Sequence, residues 1–206
     1  MSVLTGRYSG SPESAFDGDI RRINEYGMER YLAEVEAAAL SDAFWGAALP
    51  QQMNTSVASS SYFKVFLAAQ VRNNDKGFLS KDITVQDLIT HRGDIHHVFP
   101  KGYLKGKGLT RGRYNQIANY VIMQSEINIA IGNKAPFTYF SQLKDQCESE
   151  SPTYGAITDF ELLWENFRMN AIPENMHGKS IDDYEGFLQE RRRLMAQKIK
   201  AYYFSL

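Results

Sequence analysis

"GDIHHVFPKGY", residues 93–103, sets two imidazoles side by side. Asp94 comes just before His96 and His97, and an apolar run stopped by Pro100 comes just after. Ile95, Val98 and Phe99 favour extended chain, and proline ends it. A short strand is expected here, in a chain that otherwise reads as helices. Neighbours on a strand point to opposite faces, so both rings reach one site only where the strand bends or stops. Pro100 and the five glycines between residues 93 and 112 favour such a stop and a long loop after it. The plainer alternative buries one ring and leaves the other in water.

Outward from this stretch the pattern is helical. Asp17 is a cap candidate for a helix whose apolar face takes in Ile20, Ile23, Tyr31, Leu32 and Val35. Ser41 is another, for a short continuation before Pro50. "SYFKVFLAAQVRN", residues 61–73, has the length of a buried helix, and Thr84 opens a short one over "VQDLI". After the hairpin loop, "NYVIMQ", residues 119–124, reads as the second strand, and Ser125 precedes a helix over "EINIAI" that Gly132 closes. Pro136 opens the next helix. Thr158 and Glu161 form a capping-box pattern before "LLWENF". Ser180 and Asp183 start a final helix of about six turns. Within that helix the run Arg191 to Arg193 reads as a solvated face. The C-terminal "AYYFSL" reads as core or an oligomer contact.

The expected fold is therefore α+β, mostly α-helical, with a small hairpin-plus-helix motif between helical segments. Residues 1–16 read as a linker-like lead-in and 17–206 as one domain. That domain divides into a helical part (17–90), the hairpin core (91–135) and C-terminal helices (136–206). A hydrophobic content of 43% over 206 residues supports a real core. The net charge of −1 excludes a globally basic nucleic-acid binder but leaves room for a local patch. The single cysteine, Cys147, excludes a disulfide framework and paired zinc-knuckle motifs. No apolar run has membrane-spanning length and the first residues lack a secretory block, which points to a cytoplasmic protein.

Two asparagines and a set of cations follow the histidines. Asn128 falls early in the helix after the second strand, where an amide oxygen can ligate a hard cation. Asn119 opens that strand and can tie the loop that carries the histidines. Lys101, Lys105, Lys107, Arg111 and Arg113 fall within thirteen residues that hold no acid, a pattern suited to nucleic-acid phosphates. A solvated loop is the alternative. Lys134 at the helix end can hold a phosphate or simply sit in solvent. His91 and His177 have no partner pattern.

The order is strand with histidines, loop, asparagine, strand, helix with asparagine. It resembles the HNH nucleases, the ββα-metal or His-Me finger group. "DIHHVFPKGYL" with "IANYVIMQSEINIAIGNKAPFTYF" is closest to the HNH domain at the C-terminus of GmrSD-type, modification-dependent restriction and phage-defence proteins, over roughly residues 88–143. "LTGRYSGSPES" near the start also looks like the segment that leads into that domain.

The resemblance implies a role for each matched residue. His97 would be the base that activates the attacking water, and Asn119 would hold its loop. His96 and Asn128 would be metal ligands. Asp94, on the His96 side by strand alternation, would orient an imidazole or reach the metal through water; a surface aspartate is the alternative. It further implies Mg²⁺, with Mn²⁺ as substitute, double-stranded DNA as substrate, 5′-phosphate products, and an upstream nucleotide-hydrolysing domain that selects the target. Family members with three histidines accept zinc or nickel, and this set has two. Because His97 must be neutral to act, activity should fall below about pH 6.5. A non-catalytic DNA-binding module of the same shape, an RNA or single-strand nuclease, and a helical interaction protein are the competing readings.

Overall fold

The strand expected at Ile95 forms, and it stops at His97. The computed structural model describes residues 1–91 and 94–206; it is mostly helical, with one two-stranded antiparallel sheet. In chain order the helices are α1 (Ser2–Thr5), α2 (Pro12–Tyr26), α3 (Met28–Ala39), α4 (Leu49–Gln52), α5 (Ser61–Arg72), α6 (Val85–Thr90), α7 (Lys101–Gly106), α8 (Arg111–Tyr114), α9 (Ser125–Ile131), α10 (Pro136–Ser149), α11 (Phe160–Met169) and α12 (Tyr184–Tyr203). Strands β1 (Ile95–His97) and β2 (Tyr120–Ile122) pair in the register Ile95↔Ile122, His96↔Val121, His97↔Tyr120. Among the described residues no helix is long and apolar enough to cross a membrane.

Two helices show how local chemistry sets the elements. Ser60 caps α5 by accepting from Phe63 N, and Phe63, Phe66 and Ala69 then fall on one buried face. Thr84 and Asp87 form a reciprocal capping box at α6. The core gathers α5, α10, α11 and α12 around the hairpin, with Phe99, Leu104, Ile117, Phe187 and Ile199 fully buried.

Several expectations need correction. The first helix of the N-terminal arm begins at Pro12 rather than Asp17, because proline suits the first helical turn. The segment before it carries α1, whose Leu4 is buried. Pro50 does not end a helix; it sits in the first turn of α4, after a π-helical turn over Phe44–Ala48. The glycine-rich stretch after the hairpin is not one long loop. It folds into α7 and α8, anchored by buried Leu104 and Tyr114. At α11 the cap is Asp159, which accepts from Leu162 N at 2.9 Å, one residue beyond the expected Thr158.

The largest correction concerns α12. Arg191 is 0% exposed and Arg192 is also buried; only Arg193 faces solvent. The buried stripe Tyr184, Phe187, Leu188, Arg191, Met195, Ile199 follows helical spacing, and Arg191 occupies an interior position in it. Its guanidinium donates to Ala118 O at 2.9 Å and to Asn170 O at 3.2 Å. The first of these carbonyls belongs to the turn that delivers Asn119 to β2.

Candidate functional site

Asn119 is the keystone of the hairpin. It is fully buried at the end of a 3-10 turn over Ile117–Asn119. Its Oδ1 accepts from Phe99 N at 2.8 Å, and its Nδ2 donates to Phe99 O at 3.1 Å and Tyr114 O at 3.2 Å. Its own carbonyl accepts from Val98 N at 2.9 Å. One residue thus clamps the two positions that follow His97, and the buried Tyr139 hydroxyl donates to Val98 O at 2.7 Å to complete the hold. β1 ends at His97, and the chain bends away at Val98–Phe99.

His96, His97 and Asn128 all line one cleft of ≈ 420 Å³, together with Lys101, Gly102 and Asn133. Both histidines and Asn128 are half-buried. His96 Nε2 is sealed from solvent and has no hydrogen-bond partner among the described residues. A buried ring nitrogen left this way is costly unless something else occupies it. Gly102 makes the close approach between α7 and the end of α9 possible, since a Cβ there would fall within 2.7 Å of all three terminal atoms of the Asn133 amide.

His97 is held by a residue that spacing did not single out. Its Nε2 lies 3.0 Å from Asn115 Oδ1, and its ring meets Tyr120 edge-on at 5.2 Å. An amide oxygen only accepts, so Nε2 carries the proton of the neutral ring and Nδ1 carries the lone pair. Nothing in the 18-residue gap between His97 and Asn115 signals this pairing; only the folding of α8 brings them together.

Both imidazoles are held below their ordinary pKa. For His96 burial is the main cause, opposed by the negative charge of Asp94. For His97 burial again leads; the Asn115 hydrogen bond opposes it, and the charges of Lys101 and His96 add to it. Neutral rings at pH 7 suit both metal ligation and proton acceptance.

The remaining candidates divide. Asp94 is exposed and does not line the cleft, though its charge reaches His96. Lys101 lines the cleft, with its ammonium 5.9 Å from the Tyr114 ring centre. Lys105, Lys107 and Arg111 are exposed on the same pair of short helices. Arg113 is exposed but ion-paired with Glu185 at 2.5 Å. Lys134 caps α9, donating to Ala130 O at 2.7 Å, and lies over the Tyr154 ring rather than in the cleft. Among the described residues no three of His, Cys, Asp and Glu group closely enough to hold a metal by themselves. The candidate ligands are instead imidazole and amide.

Over 210 aligned positions the chain is 24% identical to an uncharacterized protein of Methanocaldococcus jannaschii. The match covers 96% of this chain and 35% of that protein, so the chain spans about a third of its relative's length. No family model and no solved structure matches the chain.

Proposed function

We propose that the cleft between β1, α7 and α9 is the active site of an HNH-type, ββα-metal endonuclease acting on double-stranded DNA. The observation that carries this reading is the convergence of His96, His97 and Asn128 on one cleft, with His96 Nε2 buried and without a hydrogen-bond partner among the described residues. That orphaned nitrogen and the Asn128 amide, which makes no side-chain hydrogen bond to any described residue, fit a divalent cation. Two protein donors leave other positions for water and phosphate oxygen, which suits Mg²⁺ or Mn²⁺ better than a closed zinc centre. When bound, the cation supplies Lewis-acid stabilisation of charge on the phosphoryl group and leaving oxygen.

The chain's own residues do the rest. His97 accepts the proton of the attacking water at Nδ1, because Asn115 holds Nε2–H. Asn119 fixes the backbone after His97, so the base does not drift from its reach. Lys101 draws a phosphate to the cleft mouth, while Lys105, Lys107 and Arg111 bind the backbone further along without reading sequence. In this reading the chain is the cutting part of a larger restriction or anti-phage defence protein. Target selection and nucleotide hydrolysis then belong to another part of that protein.

Supercoiled plasmid incubated with Mg²⁺, Mn²⁺ or EDTA tests the proposal. Wild type is expected to nick or linearise it only with metal, and His97→Ala and Asn128→Ala are expected to be inactive. Cleavage in EDTA, or activity that survives both substitutions, would overturn it.

A further inference from the structure

Asn133 is a helix-end asparagine that the helix end does not use. Asparagine follows helices because it tolerates a positive φ. Here the positive φ belongs to Gly132, at φ 59° and ψ −128°, and Asn133 has none. The last carbonyls of α9 are met by other donors. Gly132 N donates to Asn128 O at 2.9 Å, Lys134 Nζ to Ala130 O at 2.7 Å and Lys134 N to Ile131 O at 3.3 Å. The Asn133 carboxamide makes no hydrogen bond to any described residue, and it lines the cleft that His96, His97 and Asn128 share.

Two glycines put it there. Gly132 turns the chain back after α9, with a φ and ψ that residues with a side chain avoid. Gly102 on α7 leaves room for the amide. A Cβ built there would collide with all three of its terminal atoms, Oδ1 nearest and Nδ2 farthest at 2.7 Å. The oxygen is thus the atom pressed on α7, and the nitrogen is the freer one. That nitrogen carries two N–H donors and no acceptor. Lys101, in the same cleft, adds an ammonium. Donors of this kind suit a phosphoryl oxygen. We propose that Asn133 is a phosphate-contacting residue of the cleft, its Nδ2 donating to a non-bridging oxygen of a DNA backbone phosphate. That the phosphate belongs to DNA rests on the nuclease reading; that the amide takes a phosphate oxygen does not.

The probe is inorganic phosphate, added to the full 206-residue chain without metal or DNA. Phosphate should raise the wild-type Tm above its value in chloride at equal ionic strength, because it binds the folded state. Asn133→Ala should lose most of that rise. Gly102→Ala should lose it too, since its methyl displaces the amide. With both substitutions the methyl meets no amide, so the loss should be no greater than in Asn133→Ala alone. A merely structural role would lower Tm in chloride and leave each variant's phosphate increment intact. No increment in wild type, or an undiminished one in both single variants, overturns the proposal. Plasmid nicking with Mg²⁺ separates it from the nuclease reading. Asn133→Ala should cut about 10- to 100-fold more slowly with Mn²⁺ binding unchanged. Full-rate cutting by Asn133→Ala overturns the proposal alone. A wild type that binds phosphate through Asn133 but never cuts overturns the nuclease reading alone.

Discussion

Asn119→Ala is the perturbation with the most to lose. The side chain is fully buried and makes three hydrogen bonds, to Phe99 N, Phe99 O and Tyr114 O. After truncation Tyr114 O keeps the Tyr184 hydroxyl at 3.4 Å. Phe99 N–H and C=O keep nothing among the described residues, and Phe99 is 0% exposed. Each orphaned buried group costs about 1–3 kcal/mol. With some relaxation the loss should be about 3 kcal/mol, a fall in Tm of roughly 6–12 °C for a chain of this size. Asn119→Asp keeps the volume and the acceptor but turns a second oxygen toward two carbonyls, so it should be at least as damaging. Urea unfolding followed by circular dichroism measures both. A loss below about 1 kcal/mol in both variants would show that the amide does not hold the turn.

Arg191 is a buried cation with no carboxylate partner among the described residues, and burial pushes its pKa down to about 9. Arg191→Lys keeps a charge that is too short for both carbonyls and should cost about 3 kcal/mol. Arg191→Met removes the desolvated charge and should cost less; thermal melts giving the reverse order would mean the two hydrogen bonds outweigh desolvation. The Arg7 guanidinium beside Asp19, helped by Tyr31 and Tyr8, holds that carboxyl well below the usual carboxylate range. A depressed folded pKa gives stability that is present above about pH 4 and lost as pH falls further. Wild type should therefore lose Tm between about pH 4 and about pH 2, and Asp19→Asn should start lower and lose less across that window. Burial also holds His97 below 6.5, so the acid limb of kcat/KM should lie below about pH 6.5. Asn115→Asp, which puts a carboxylate against Nε2, should move it upward; an unmoved limb would remove Asn115 from the environment of the proposed base.

Much of the hairpin was legible because its signals are local. Paired histidines before Pro100 end a strand, and an asparagine opening the returning strand can face only the loop it closes. The place of Asn128 early in the helix after β2 was legible in the chain order, and the fold sets it on the cleft that both histidines line. The misreadings share one cause, which is that tertiary position overrode residue type. Arg191 reads as solvated by charge, yet the register of α12 drives it inside. Glycines 102, 106, 108 and 112 read as loop, yet buried Leu104 and Tyr114 pull the chain into two short helices. In the N-terminal arm the face through Ile20 and Leu32 reads as core, yet Asp19 and Tyr31 occupy the interior and leave it in water. Asn115 had no sequence signal, since its contact with His97 exists only once α8 forms.

The convergence of His96 and Asn128 on one cation is most directly tested by calorimetric titration with Mn²⁺ in the absence of DNA. Wild type should bind one ion per chain in the cleft. His96→Ala and Asn128→Ala should each lose that binding, while His97→Ala keeps it. Undiminished binding in both ligand variants, or no binding by wild type, would contradict a metal centre at this cleft.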